Sequence, residues 1–209
     1  MSGTPSAIRD QGTRPVCAAI AVTTAHEFSR ASAGAIELAP EALWQHALAL
    51  GTAGPSGTTL GAMEAALSDT GQPHESVWPF DKSNHDSHKS PKAAGAPPWF
   101  QASLDRQVRN AQEVSDAIGA GTTVVVVLEV TDAFGNAGTT GIISDPDRLD
   151  KGQGRHAVVC LASGKSSKGV LHLLIRNSWG TGWGNRGYAW MSDTHFNAMT
   201  RQTALVKHA

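Results

Sequence analysis

The apolar pattern of the chain changes near residue 100, from helical spacing to runs that are typical of strands. Before that point, apolar residues recur every three to four positions and predict three helices, at about 15–29, 38–50 and 59–68. After it come one helix at 111–120 and four β-rich runs at 122–130, 155–162, 169–177 and 188–191. Helices first and strands later favour an α+β fold with a helical lobe and a sheet lobe.

The connections between these elements are rich in glycine, proline and polar residues. Loops are predicted at 51–57, 81–98 and 135–154, and an irregular segment at 72–80. A chain of 209 residues is long enough to bury a sizeable core as one domain or as two small lobes.

Composition excludes several classes of partner. The net charge is −1, with 40% hydrophobic and 17% charged residues, and there is neither a basic stripe nor an acidic tail, so we expect no electrostatic partner and no nucleic-acid binding. The longest strongly apolar run, Thr123–Leu128, is too short to cross a bilayer, so we expect no membrane partner.

The chain has two cysteines, Cys17 and Cys160, which provide no disulfide framework. The first residues lack the basic head and apolar run of a signal peptide. Together these features predict a cytoplasmic protein and leave open its delivery into another cell.

Cys17 occupies the start of the first predicted helix. Pro15 suits the first turn, where its missing N–H costs nothing, and Val16 and Ile20 begin the apolar stripe. Unpaired N–H groups and the positive end of the helix dipole favour the thiolate form of a cysteine placed there. Gln11, six positions earlier, carries a neutral N–H donor suited to an oxyanion beside the sulfur.

Two further residues complete a nucleophile with an oriented base. His156 begins one apolar strand and Asn177 ends another. An imidazole can take the thiol proton and return a proton to the leaving amine, while an amide oxygen fixes the ring tautomer. If Cys17 is considered without the other residues, the alternative is a buried, inert cysteine. We expect Cys160 to be such a cysteine. No ligand spacing supports a metal, and no cofactor is expected.

The spacing Gln11-x5-Cys17, a late His156, and the segment Asn177-Ser178-Trp179-Gly180 through Tyr188 resemble the papain-like cysteine peptidases. The resemblance runs from about Ile8 to Met191. The absence of disulfides and the Arg9-Asp10-Gln11 opening are more similar to the bacterial intracellular-type members.

This resemblance implies a papain-like two-lobed fold, with a helical left lobe, an antiparallel β-barrel-like right lobe and an active-site cleft between them. The whole chain, 1–209, would be one peptidase domain, with 12–100 as the helical lobe and 1–11 plus 101–209 as the sheet lobe. Cys17 would be the nucleophile and His156 its base. Asn177 would orient the imidazole, Gln11 would bind the oxyanion, and Trp179 would shield the His156–Asn177 bond.

The resemblance also implies substrate-binding residues, although the chain departs from the family there. Gly57 and Thr58 correspond to paired glycines that bind the substrate backbone, and Thr58 adds a Cβ. Arg155 stands where the family often has Asp or Asn; we include it and Trp179 among the substrate-binding candidates. Arg14 replaces a cysteine, so the family's disulfide at this position is missing.

The function implied is hydrolysis of peptide bonds in a peptide or protein substrate, through an acyl-enzyme on Cys17. Two alternatives remain: a transpeptidase or other amide-processing enzyme with the same residues, and a catalytically silent papain-fold binding module. Cys17 lies close to Met1, which predicts activity without proteolytic maturation. Additional domains or a regulatory partner in a longer protein are compatible with this interpretation.

Overall fold

The structure is a computed structural model that describes residues 6–83, 91–146 and 152–208. The chain divides into two compact units. Unit 1 contains Gln11–Asp105 with short stretches from both chain ends, and unit 2 contains Arg106–Leu205 with the segment Ile8–Asp10. The lobes predicted at 12–100 and at 1–11 plus 101–209 stay a prediction. Within the described residues, no helix is long and apolar enough to cross a membrane.

Three α-helices form much of unit 1, close to their predicted positions. They are α1 (Cys17–Ser29), α2 (Pro40–Ala49) and α3 (Leu60–Asp69). Pro40 is the first residue of α2, where no intrahelical N–H bond is lost. The Thr59 hydroxyl caps α3 by accepting a hydrogen bond from the Ala62 amide at 3.2 Å. Local sequence signals therefore set these helix starts.

Helix α1 is buried along almost its whole length. All ten residues from Ala18 to Glu27 are buried, and most of them are small or apolar. Its polar side chains find partners inside the unit: Thr23 donates to the Ala19 carbonyl at 2.7 Å and accepts from Gln72 at 2.6 Å. His26 Nδ1 lies 3.1 Å from Gln72 Oε1. The element that begins with Cys17 is thus held on several sides.

A short hairpin occupies the segment that the sequence predicts as a loop. Strand β1 (Ala53–Gly54) pairs antiparallel with β2 (Gly57–Thr58). Two-residue strands carry too little alternation to be recognised from sequence. Gly57 has a φ of +93°, a conformation that glycine adopts without steric cost.

The other described segments of unit 1 before residue 102 are irregular, as predicted for 72–80. Single turns of 3₁₀-helix occur at Ala31–Ala33, Glu75–Val77 and Lys92–Ala94. Residues 84–90 of the predicted loop lie outside the described residues.

Seven strands form one sheet in the order β3-β9-β4-β6-β7-β8-β5. The strands are β3 (Ala102–Gln107), β4 (Val124–Glu129), β5 (Ile142–Ile143), β6 (Arg155–Lys165), β7 (Leu171–Arg176), β8 (Tyr188–Ser192) and β9 (Thr200–His208). Antiparallel ladders join β9 to β4, β4 to β6, β6 to β7 and β7 to β8, whereas β5 runs parallel to β8. Part of β3 and the end of β9 belong to unit 1.

The core of unit 2 is formed by residues of the sheet and of the helices that pack with it. Helix α4 (Ala111–Gly119) contributes Val114 and Ile118 to it and begins with a capping box between Asn110 and Glu113. Val124, Val125 and Val126 of β4 are completely buried, so both faces of the strand are covered there, which explains the continuous apolar run in the sequence. Helices before the sheet confirm the predicted α+β class.

The sequence analysis missed several elements of unit 2. These are β3, β5, β9, the one-turn helix α5 (Asp132–Gly135) and helix α6 (Asp193–Met199). Exposed charged residues such as Arg201 and Lys207 interrupt the apolar alternation of β9. Helix α5 and strand β5 are too short to establish a period, and residues 147–151 of the predicted loop lie outside the described residues.

Candidate active site

Cys17 is the first residue of α1 and is half-buried. Val16 precedes it without a side-chain cap, and the first turn of α1 holds no acidic residue. The N–H groups of that turn and the helix dipole therefore favour negative charge on the sulfur. Cys160 contrasts with it, because it is fully buried in β6 and burial raises the pKa of its thiol well above the usual range.

Gln11 is tied to the loop that leads into α1. Its Nε2 donates to the carbonyl oxygen of Arg14 at 2.8 Å, and the Arg14 amide donates to the Gln11 carbonyl at 3.2 Å. The side chain of Gln11 is half-buried. The two bonds close a turn from Gln11 to Arg14, just before Cys17. This turn limits the directions in which the Gln11 side-chain amide can point.

Gly57 and Thr58 lie on β2 in the same unit. A Cβ built on Gly57 would lie 3.4 Å from the Pro15 carbonyl oxygen, so the hairpin approaches the loop before Cys17 closely. The Thr58 hydroxyl donates to the Thr52 carbonyl at 3.0 Å, within the hairpin. A role for either residue in substrate binding stays a prediction.

His156 and Asn177 meet because of the sheet topology of unit 2. His156 is the second residue of β6, and Asn177 directly follows the last residue of β7. Since β6 and β7 are antiparallel neighbours, the start of one and the end of the other share one end of the sheet. His156 Nε2 lies 2.6 Å from Asn177 Oδ1, and both residues are buried.

The hydrogen bonds around Asn177 define the tautomer of His156. The Ser178 amide donates to Asn177 Oδ1 at 2.7 Å, which identifies that atom as the oxygen. An amide oxygen only accepts, so Nε2 of His156 must carry the proton in this bond. In the neutral ring Nδ1 is then the atom with a free lone pair, and it is the nitrogen that can take a proton.

Aromatic side chains pack around the His156 ring. The Trp179 ring lies 4.7 Å from the His156 ring, centroid to centroid, at an interplanar angle of 35°. Phe134 contacts both rings edge-on, at 6.0 Å from His156 and 5.5 Å from Trp179. Trp183 Nε1 donates to the Phe134 carbonyl at 3.1 Å. This packing suits Trp179 to shielding the pair from water.

Sequence reasoning missed Phe134. It is completely buried and sits on α5, which Thr131 caps by accepting a hydrogen bond from the Phe134 amide at 3.0 Å. The signal available was a Thr-Asp-x-Phe segment directly after a buried strand, which is a capping pattern followed by an aromatic residue.

Burial dominates the electrostatics of His156. Desolvation lowers its pKa from 6.5 to about 4, although the hydrogen bond that the ring donates to Asn177 opposes that shift. Burial by itself therefore favours a neutral imidazole, whose Nδ1 can accept a proton. A negative partner such as a thiolate would favour the imidazolium and raise this pKa.

We expect this shift to appear in the pH dependence of stability. In a Cys17→Ala background there is no thiolate to stabilise the imidazolium, so the unfolded chain binds the His156 proton near pH 6.5 and the folded chain only near pH 4. The free energy of unfolding should then fall by up to about 3 kcal/mol as the pH drops from 6.5 to 4, and flatten below.

Denaturant titrations at several pH values measure this loss. Because carboxylates also titrate in that range, the matched control is Cys17→Ala with His156→Gln, which lacks the imidazole. Parallel pH curves for the two variants would contradict a buried, neutral His156.

Arg155, the fourth substrate-binding candidate, is exposed and pairs with Glu129 across β6 and β4. Arg201 Nε donates to Glu129 Oε1 at 2.9 Å, and this bond, with the charges of Arg201 and Arg155, lowers the pKa of Glu129. The Arg155 charge is thus partly balanced by Glu129. Its contact with substrate stays a prediction. Among the described residues, no group of three His, Cys, Asp or Glu side chains is arranged to hold a metal.

Comparison with known proteins identifies the family to which this chain belongs. Residues 2–207 match the Papain family cysteine protease, and the chain belongs to that family. Oryzain gamma chain of Oryza sativa subsp. japonica is 27% identical over 189 residues, which cover 89% of this chain and 51% of that protein. A cathepsin L-like peptidase of Aedes aegypti is 26% identical over 129 residues, covering 60% of this chain and 37% of that protein. The chain spans about half or less of these relatives.

Solved structures show the same fold. Xylellain, a cysteine protease from Xylella fastidiosa, superimposes with a TM-score of 0.80 at 20% identity, covering 99% of this chain and 84% of that one. The Carica candamarcensis cysteine protease CMS1MS2, solved in complex with E-64, superimposes with a TM-score of 0.73 at 21% identity, covering 99% of this chain and 93% of that one. These likenesses confirm the papain-like fold predicted from the sequence.

Proposed function

We propose that this chain is a cysteine peptidase that hydrolyses peptide bonds through an acyl-enzyme on Cys17. Nδ1 of His156 takes the thiol proton, and the sulfur attacks the substrate carbonyl carbon. The imidazolium then protonates the leaving amine as the carbon–nitrogen bond breaks. Water, deprotonated by the same nitrogen, releases the acid and restores the thiol.

The observation that carries this proposal is the hydrogen bond between His156 and Asn177. It directs Nε2–H to the amide oxygen at 2.6 Å and leaves Nδ1 as the proton acceptor. When Nδ1 gains a proton, the same bond stabilises the positive ring, and the aromatic cover keeps water from competing for it. The mechanism requires Sγ of Cys17 to come within hydrogen-bond reach of Nδ1.

Two groups are proposed to stabilise the oxyanion. One is the backbone N–H of Cys17, which the start of α1 leaves outside the helical hydrogen-bond ladder. The other is the Nε2–H of Gln11 that does not bond to Arg14, since an amide nitrogen carries two hydrogens. Donors that are fixed before reaction need no reorganisation as charge develops.

Peptides or proteins are the proposed substrates, with Gly57, Thr58, Arg155 and Trp179 as candidate contacts. The family and its relatives support this substrate class. A cytoplasmic location, and a regulatory partner or further domains in a longer protein, stay proposals as well.

Residues 1–209 incubated with a peptide library, with and without an added amine, provide the test. We expect cleaved peptides whose new carboxyl ends come from water, and no products from the Cys17→Ala variant. Amide products that dominate once the amine is present would favour the transpeptidase. Intact peptides together with unreactive Cys17 would contradict the enzyme and favour the binding module.

Alkylation by iodoacetamide tests whether the thiol and the imidazole meet. We expect Cys17 to react at mildly acidic pH, where an ordinary thiol of pKa about 8.5 is almost fully protonated. In the His156→Ala variant, the pH dependence of the alkylation rate at Cys17 should shift to higher pH, towards that of an ordinary thiol. Cys160, fully buried, is the internal control and should stay unmodified in folded protein.

Peptide mapping after a timed reaction separates the two cysteines. Equal rates at Cys17 and Cys160, or a Cys17 profile unchanged by His156→Ala, would contradict the proposed pair.

A further inference from the structure

Arg14 lies in a buried polar network that no sequence pattern predicts. Its guanidinium makes a bidentate ion pair with Glu41 on α2, NH1 to Oε2 and NH2 to Oε1, both at 2.8 Å. NH1 also donates to the Asp81 carbonyl at 2.7 Å, and the Phe80 ring lies 5.1 Å from the guanidinium carbon. Arg14 is 2% exposed and Glu41 3%.

Further contacts fix Glu41 in turn. Gln45, one helical turn further along α2, donates from Nε2 to Glu41 Oε1 at 2.8 Å. A bidentate pair between planar groups fixes orientation as well as distance. The guanidinium is therefore held at a defined angle by α2, by the Asp81 carbonyl and by an aromatic face.

The main chain of the same residue holds Gln11. The Arg14 carbonyl accepts from Gln11 Nε2 at 2.8 Å, and its amide donates to the Gln11 carbonyl at 3.2 Å. The two residues between them, Gly12 and Thr13, are exposed. A buried side chain thus connects the turn that carries the candidate oxyanion donor to the interior of unit 1.

We propose that Arg14 is a positioning residue for the oxyanion donor: its ion pair with Glu41 fixes the carbonyl that orients the Gln11 amide. Arg14 touches neither substrate nor the reacting atoms, and it acts through Gln11. This inference rests on the proposed peptidase function. In the family the sequence resembles, a disulfide cysteine stands at this position, and here an ion pair takes its place.

Kinetics of Arg14→Lys and Glu41→Gln test this role. Lysine cannot make the bidentate pair, and glutamine keeps the volume of Glu41 without its charge. We expect kcat to fall by about 10- to 100-fold with KM little changed, because a shift of about 1 Å in an oriented group has effects on that scale. Alkylation of Cys17 forms no oxyanion, so its rate should stay at the wild-type value.

The decisive measurement is a double-mutant cycle with Gln11→Ala. If Arg14 acts through Gln11, Glu41→Gln should cost kcat almost nothing further once the Gln11 amide is gone. The matched control is Glu27→Gln on α1, a carboxylate that is also buried and accepts from the Leu38 amide at 2.9 Å. Its effects on melting temperature and kcat should be the same with or without Gln11.

An apolar double variant, Arg14→Met with Glu41→Leu, separates positioning from stability. Replacing both partners of a buried ion pair often restores stability, so the melting temperature should recover relative to Glu41→Gln. The loss of kcat should persist, since no directional anchor remains.

Different outcomes contradict different claims. Recovery of kcat together with melting temperature, or a full effect of Glu41→Gln without Gln11, would overturn the positioning role and leave the peptidase function standing. Parallel losses in peptide cleavage and in Cys17 alkylation would overturn it too, because the loop would then be acting on the nucleophile. A wild-type chain that cleaves no peptide would overturn both.

Discussion

Removing the thiol of Cys17 or the imidazole of His156 should abolish peptide cleavage. We expect kcat to fall by about 10⁵- to 10⁶-fold for Cys17→Ala and for His156→Ala, the scale seen when one member of a nucleophile–base unit is removed. Without the sulfur no acyl-enzyme forms, and without the ring no group takes the thiol proton or protonates the leaving amine. The double variant should be scarcely worse than either single variant, because the two residues act as one unit.

Single-turnover and steady-state assays with one peptide substrate measure these losses. Cys160→Ala is the matched control, since it removes the other thiol, which lies fully buried in β6. The Cys160→Ala variant should keep kcat within a few-fold of wild type, and only its free energy of unfolding should fall. Cleavage by Cys17→Ala at more than a trace, or a double variant that multiplies the two single losses, would contradict the assignment.

Removing the Gln11 amide should lower kcat by about 10²- to 10³-fold, the scale for a single oxyanion donor. KM should change little, because the oxyanion exists in the transition state and not in the bound substrate. The amide is also held by Arg14 at 2.8 Å, so a small loss of stability is expected alongside.

Gln101→Ala is the control, since it also removes a glutamine amide from unit 1, in this case an exposed amide that donates to the Ser68 carbonyl. It should leave kcat and KM at wild-type values. A Gln11→Ala variant with wild-type kcat would contradict the oxyanion role, and one with raised KM alone would indicate ordinary substrate binding.

Local signals in the sequence were enough to predict most helices and the central strands. Pro15 and the helical stripe from Val16 located the start of α1 near Cys17, and the β-branched run 122–130 located β4. These signals depend only on residues within one turn or one strand, so they can be recognised without knowledge of the fold. Sequence also paired His156 with Asn177, and the structure places these two side chains 2.6 Å apart at one end of the sheet.

Contacts between distant segments could not be predicted in the same way. In the sequence analysis, Arg14 was notable only because the family has a cysteine at this position. No local pattern connects it to Glu41, 27 positions later. Phe134 lay in a segment rich in glycine and aspartate, where a single aromatic residue has no period to place it against His156. Such pairs are defined by packing, which a pattern along the chain does not contain.

The burial of α1 has a consequence for self-digestion, which threatens any peptidase at high concentration. Cleavage of a folded chain requires local unfolding, and segments with many buried contacts open only when the surrounding unit opens. The end of β6 and the turn that follows it, exposed from Gly164 to Val170, are an easier target than the ten buried residues after Cys17. A molecule nicked at that turn would keep its nucleophile on an intact helix.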